Sequence, residues 1–274
     1  MIHAVTGIVA PKDSSRLLTG QFIFLLFHKS ILAYNEAMEN YIFDFYGTLV
    51  DIWTNERKKS LWDSFSTDLK IHGIHYYPAQ LQKVYLKTCQ QETLRMQQEH
   101  PDRLVEIDLK KVFAEIGLRK GVKLSSEDIV KLACRFRDYS TEKLELFTDT
   151  MSTLQALKDA GCHLYILSNA QAMFTDYEID RFGLRPYFDG IFYSSDLGSR
   201  KPDQHFYNAL FEKYKLDKNK SVMIGNDWHT DIMAAHHFGI RSFFYPTSTT
   251  NPKHGPLPPD CIQIQRLSDL IKKQ

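Results

Sequence analysis

Short apolar runs alternate with amphipathic stretches from residue 147 onward. The runs His163–Leu167, Gly190–Tyr193, Ser221–Ile224 and Arg241–Tyr245 predict strands. Between them, Met151, Leu154 and Leu157 share one helical face after Thr150, a good N-cap, and the pattern stops at Gly161. Further helices are predicted over about 172–182, 203–214 (Phe206, Leu210, Phe211 and Tyr214 at helical spacing) and 230–238. One more apolar run, Tyr41-Ile-Phe, ends at Asp44 and is followed by Gly47-Thr48. Strand-helix-strand repetition of this kind implies an α/β fold, a doubly wound parallel sheet with helices on both faces. Ligands of such sheets bind at the carboxyl ends of the strands.

Residues 54–146 have another texture, rich in Lys, Glu, Gln and Leu. Leu61, Phe65 and Leu69 repeat every four residues, as do Leu81 and Tyr85. His100-Pro101 and the helix start Ser125-Ser-Glu127-Asp128 punctuate the stretch. It is expected to be an all-helical insertion, a cap over the sheet edge, leaving 38–53 and 147–274 as the core. Residues 1–37 show no strand-helix alternation. Either Met38 is the natural start and 1–37 is a non-native extension, or these residues form an ordered helix on the core. The Pro-rich stretch 252–259 reads as a loop before a final helix.

Composition narrows the function. Across 274 residues, 34 basic against 33 acidic side chains give a net charge of +1. Without a basic stripe, the balance argues against a nucleic-acid partner. Cys89, Cys134, Cys162 and Cys261 lie far apart, without zinc or redox spacing, and read as reduced thiols. The apolar run Phe22–Phe27 is only six residues, where a membrane span needs about 20. A cytoplasmic protein without membrane association is expected; nothing in the sequence speaks to its oligomeric state.

Asp44, Ser168, Lys201 and Asp227 fall at strand ends or just beyond. Singly each has a bland reading as a turn, a helix cap or a solvated loop residue. Their ordered succession on one parallel sheet is the informative feature. Asp44-Phe-Tyr-Gly-Thr48, Ser168-Asn169, Arg200-Lys201-Pro202-Asp203 and Gly225-Asn-Asp227-Trp-His-Thr-Asp231 together resemble the motifs of the haloacid dehalogenase-like (HAD) hydrolase superfamily, over about 41–245. From Asp44 to Ser168 is 124 residues, against 33 from Ser168 to Lys201. The cap therefore falls between the first and second motifs.

The resemblance implies a Rossmann-like HAD core in which Asp44 is the nucleophile, and a covalent intermediate splits one hard displacement into two easier ones. It implies Mg²⁺ held by the Asp44 carboxylate, the Tyr46 backbone carbonyl and the Asp227 carboxylate, all hard oxygen donors. Ser168 and Lys201 would hold phosphoryl oxygens, with Thr48 and Asn169 at the substrate and Asp231 supporting Lys201 or a metal-bound water.

Position 46 departs from the phosphatase pattern, which has Asp there to protonate the leaving oxygen and deprotonate water. Tyr, with an ordinary pKa of about 10, is a poor base at neutral pH. Haloacid dehalogenases carry Tyr at this place, but Asp227 with Asp231 is the metal-binding form of the fourth motif. Without a cation, Asp227 beside Asp44 would raise one of their pKa values. Three readings follow in falling order. The first is a Mg²⁺-dependent phosphatase of a small phosphate ester, acting through an aspartyl-phosphate, in which water, a cap residue or Tyr46 replaces the acid/base. The second is a dehalogenase-like or phosphonate hydrolase. The third is a non-catalytic phospho-ligand-binding module. Tyr207 reads as a core residue of its helix. In the cap, Arg57, Arg95 and Arg103 are possible substrate arginines, and Trp53, Trp62, Tyr76 and Tyr77 read as packing residues.

Overall fold

Alternation within Tyr41-Ile42-Phe43 sends neighbouring side chains to opposite faces of a sheet, and both faces are covered. The computed structural model of the protein describes residues 38–271; both readings of residues 1–37 lie outside the described residues. Six parallel strands form the sheet: β1 (Asn40–Phe43), β4 (His163–Ser168), β5 (Gly190–Tyr193), β6 (Ser221–Gly225), β7 (Arg241–Phe244) and β8 (Cys261–Gln263). Their order is β5-β4-β1-β6-β7-β8, so β1 is central and the chain winds outward from it in both directions. The order changes direction at β1, which is where a doubly wound sheet opens a crevice for ligands.

On one face Tyr41, Phe43, Leu164, Ile166, Val222 and Ile224 pack with Leu154 and Leu157 of α5 (Thr150–Asp159) and Ile179 of α6 (Ala172–Arg181). On the other, Ile42, Tyr165, Leu167 and Met223 meet Phe206, Tyr207 and Leu210 of α8 (Gln204–Tyr214) and Phe238 of α9 (Ala234–Phe238). A short helix, α7 (Ser194–Leu197), lies between β5 and α8.

Three details differ from expectation. Thr150 is the first residue of α5 rather than its cap, because its hydroxyl donates to the Leu49 carbonyl at 2.9 Å. The stretch expected as one helix over 230–238 begins as a wide π-helical turn, Trp228–Met233, before α9. The expected final helix is replaced by β8 and a 3₁₀ turn, Leu267–Leu270, closed by the Asp269 carboxylate on the backbone N–H groups of Gln265 and Arg266.

Residues 54–146 are not all helical as expected: between β1 and α5 the chain leaves the sheet through an antiparallel ribbon of β2 (Val50–Thr54) and β3 (Thr141–Leu146), whose pairing spans the whole insertion. Four helices lie between these strands: α1 (Lys59–Ile71), α2 (Pro78–Glu99), α3 (Leu109–Leu118) and α4 (Ser126–Ser140). They bury a core of their own, with Leu61, Trp62, Phe65, Phe113 and Phe136 at its centre. Trp62 and Tyr76 are buried there, whereas Trp53 and Tyr77 are exposed. Met173 and Phe174 of α6 close this core from the sheet side. The loop before α3 is also stitched to the sheet domain. Leu104 N–H donates to Asp203 at 2.8 Å, Arg200 N–H to Leu104 O at 3.0 Å, and Glu106 N–H to Gly198 O at 3.2 Å. Gln171 donates its side-chain amide to Ile107 O and accepts from Leu109 N–H.

Candidate active site

Asp44 follows the last residue of β1, and its N–H still bonds to Ile224 O at 2.9 Å, so the ladder carries it to the rim of the sheet. The chain then turns sharply: Leu49 and Val50 N–H both donate to Phe45 O, and Gly47 N–H to Val50 O. Gly47 sits at φ +86°, in the left-handed region. A Cβ there would come within 2.5 Å of Asn226 Nδ2 and 2.6 Å of Thr249 Oγ1. The turn thus needs glycine twice over, for its backbone and for its neighbours.

Ser168, the last residue of β4, and Asp227, two residues past β6, reach the same rim. With Asp44, Tyr46, Lys201 and Asp231 they line one cavity of about 230 Å³. Lys201 Nζ is 2.7 Å from Asp44 Oδ1 and 2.7 Å from Asp231 Oδ1, and Lys201 is almost wholly buried. Asn169, expected at the substrate, lines the cavity and bonds its amide to the Lys201 backbone in both directions: Nδ2 donates to Lys201 O and Oδ1 accepts from Lys201 N–H. It sets the loop from which Lys201 reaches Asp44. Thr48 Oγ1 is only loosely tied, 3.4 Å from both Asp44 Oδ2 and Asn226 Oδ1.

Asp231 lies against Gly225, where a Cβ would stand 2.3 Å from the Asp231 Cβ. Its Oδ2 accepts from Asp227 N–H at 3.0 Å. Burial pushes the Asp231 carboxyl up to about 7, against the pull of Lys201. Burial alone would lower Lys201, but the two carboxylates more than offset it and hold the ammonium charged. Asp227 Oδ1 caps the following turn by accepting from His229 N–H, Thr230 N–H and Thr230 Oγ1, and its Oδ2 takes no hydrogen bond among the described residues.

Two features bear on what fits here. The Ser168 hydroxyl is buried without a hydrogen-bond partner, which costs about 1–3 kcal/mol unless a ligand supplies one. Even with the Asp231 carboxyl raised, the carboxylates of Asp44 and Asp227 outnumber the single Lys201 ammonium in the cavity, a balance that repels a phosphate unless a cation joins it. Among the described residues no three His, Cys, Asp or Glu side chains form a ready-made metal cage. Mg²⁺ rarely asks for one; it takes one or two carboxylates, with waters and substrate phosphate completing its shell. The carboxylates of Asp44 and Asp227 with a main-chain carbonyl fit that requirement.

Tyr46 turns its hydroxyl away from this group. It donates to Glu178 Oε2 at 2.6 Å and lies 2.9 Å from Thr175 Oγ1, both on α6 and neither lining the cavity. Arg137 of α4 lies 5.0 Å from the Tyr46 ring centre and 2.7 Å from Glu178 Oε1. Burial pushes the Tyr46 phenol pKa well up, so it keeps its proton. Glu178, Arg137 and Thr175 carried no signal in the sequence, because charged and hydroxyl residues on amphipathic helices ordinarily face solvent. Of the possible substrate arginines, Arg57, Arg95 and Arg103 do not line the cavity, and Arg95 pairs with Glu92 and Glu99. Tyr207 is fully buried against Phe238.

Residues 79–245 match the haloacid dehalogenase-like hydrolase family. The chain belongs to that family. Pyrimidine 5'-nucleotidase PynA of Streptococcus pneumoniae is 25% identical over 217 residues, which cover 78% of this chain and 84% of the relative. The phosphoglycolate phosphatase of Vibrio cholerae is 29% identical over 109 residues, 39% of this chain and 48% of that protein, so the likeness spans only about half its length. Among solved structures, a HAD phosphatase from Thermococcus onnurineus aligns with a TM-score of 0.54 at 19% identity, covering 85% of this chain and 96% of that one. The 2-haloacid dehalogenase of Pseudomonas syringae gives 0.54 at 20% identity, with the same coverage. At this identity both show the HAD fold alone. No helix among the described residues is long and apolar enough to cross a membrane.

Proposed function

We propose that this HAD hydrolase is a Mg²⁺-dependent phosphatase of a small phosphorylated molecule, acting through an aspartyl-phosphate on Asp44. The observation that carries the reading is the charge balance of the cavity: Asp44 and Asp227, with Asp231 raised by burial, against Lys201 alone, and the unpartnered Ser168 hydroxyl beside them. A phosphoryl group with a divalent cation satisfies all of these at once. The nucleotidase and phosphatase named above support the substrate class.

Lys201 fixes Asp44 through Oδ1 and leaves Oδ2, tied only to Thr48 at 3.4 Å, as the attacking oxygen. The Ser168 hydroxyl and the Lys201 ammonium hold phosphoryl oxygens, and Asp231 keeps Lys201 charged and in place. Asp44, Asp227 and the Tyr46 carbonyl would hold Mg²⁺, which when bound neutralises charge between nucleophile and substrate. Asn169 acts as a positioning residue for Lys201. The helical unit between β2 and β3 serves as the cap; its Arg137 meets Glu178 and Tyr46 at the seam, while none of its residues lines the cavity.

One observation favours a second reading, carbon–halogen hydrolysis: with the Tyr46 hydroxyl bound to Glu178, a halide would leave without needing a proton. Against it stands Asp227, whose carboxylate beside Asp44 needs a cation that a halide site does not supply. A panel of phosphate esters and 2-haloacids, each with Mg²⁺ and with chelator, separates the two. Phosphate release that is lost in chelator supports the phosphatase; haloacid turnover that persists in chelator overturns it.

A further inference from the structure

The phosphatase reading above leaves open which phosphates the site can cleave, and the placement of Tyr46 bears on that. An in-line displacement puts the leaving oxygen on the far side of phosphorus from Asp44. A positioned acid there would have to reach it within about 2.6–3.2 Å. By the family resemblance, position 46 is where a phosphatase carries such an acid; here the Tyr46 hydroxyl donates its hydrogen bond to Glu178 and lies 2.9 Å from Thr175 Oγ1. Thr175 is itself tied to Gln171 O at 2.8 Å, and Glu178 is fixed by Arg137, so the whole arrangement is braced.

The other titratable groups of the cavity serve no better. Lys201 is bound to the nucleophile and therefore sits on its side of the phosphorus. Asp231 has one oxygen on Lys201 and the other on Asp227 N–H. Asp227 Oδ1 is occupied by three donors of its own turn, and its remaining oxygen is the one assigned above to the cation. The remaining lining groups are amides and hydroxyls, which are too weakly acidic to protonate an alkoxide, and no residue of 54–146 lines the cavity.

We infer that the substrates of this site are phosphates with acidic leaving groups, such as aryl, enol or acyl phosphates and anhydrides, rather than simple alkyl esters. Asp44 forms its bond to phosphorus as the bond to the leaving oxygen breaks. The electron pair departs on that oxygen as a stable anion, which takes a proton from solvent afterwards. Water then attacks the aspartyl-phosphate; the P–O bond to Asp44 breaks, the electron pair returns to the carboxylate, and water gives one proton to solvent and keeps the other on the released phosphate.

The test is kcat/KM of the full chain with Mg²⁺ for nitrophenyl phosphate, phenyl phosphate and an alkyl phosphate such as glycerol phosphate. A fall of roughly 10²- to 10⁴-fold from the first to the last, the size of a missing general acid, is expected. Turnover of all three within about tenfold overturns the inference and leaves the phosphatase reading standing; turnover of none overturns both. As a second readout, Tyr46→Asp combined with Glu178→Gln supplies an acid without placing two carboxylates together. It should narrow the nitrophenyl-to-alkyl ratio by at least about tenfold, and an unchanged ratio counts against the inference.

Discussion

Tyr46 and Glu178 are joined by a 2.6 Å hydrogen bond that ties the loop after Asp44 to α6, and Arg137 from the helical unit completes the cluster. Removing Glu178 leaves Arg137, with only 14% of its side chain exposed, without its carboxylate. Breaking a buried pair from one side costs about 3–5 kcal/mol. Glu178→Ala should therefore lower unfolding stability by that order in urea titration, with Glu178→Gln losing less because an amide oxygen can still accept.

Gly225 and Asp231 are packed so closely that the former has no room for a methyl group. Gly225→Ala should displace Asp231 and, through it, Lys201. A drop of about 10²-fold or more in kcat/KM is expected, the scale of a lost electrostatic contact to the transition state. An unchanged far-ultraviolet circular dichroism spectrum would assign the loss to the site.

Lys201 neutralises two buried carboxylates, Asp44 and Asp231. Lys201→Met should abolish turnover and also weaken binding of inorganic phosphate, measured by calorimetry with Mg²⁺ present. Phosphate affinity equal to that of the unmodified protein would remove Lys201 from the phosphoryl site.

The strap between the helical unit and the sheet domain should respond to pH. Burial raises the Glu106 carboxyl, which accepts from Ser194 and Gln171 at that seam. A carboxyl whose folded pKa is raised stabilises the fold when protonated; that contribution is complete below its ordinary value near 4.5 and fades as pH rises through the folded value. Hydrogen exchange at Glu106 N–H and Arg200 N–H, corrected for the intrinsic pH dependence, should show more protection at mildly acidic pH than at neutral pH. Glu106→Gln should remove the difference.

The reach of the sequence can be seen in particular residues. The β1, β4, β5, β6 and β7 strands were legible because their runs are short and apolar and end close to Asp44, Ser168, Ser194, Gly225 and Tyr245, where the chain leaves the sheet. Asp44, Lys201 and Asp227 were legible as a set because strand ends of one sheet converge. The β2–β3 ribbon was not, since Val50–Thr54 pairs with Thr141–Leu146 across the whole helical unit and no local pattern announces so distant a partner. β8 is three residues long and too short for periodicity. The direction of the Tyr46 hydroxyl depends on Thr175 and Glu178, more than a hundred residues away, whose own positions look like an ordinary helix face.

If proton transfer is absent at position 46, hydrolysis of the aspartyl-phosphate should lag behind its formation. Stopped-flow mixing with nitrophenyl phosphate should then show a burst of nitrophenol approaching one per active site before the steady rate. A linear trace from the first turnover would place the slow step before or at phosphorylation.

Whether Asp44 carries the phosphoryl group is read directly by peptide mass spectrometry of enzyme quenched in acid during turnover of nitrophenyl phosphate. A single phosphoryl addition on the peptide containing Asp44 is expected, lost with chelator and in Asp44→Asn. Phosphate release by Asp44→Asn at the unmodified rate, or a phosphoryl group found on another residue, would contradict it.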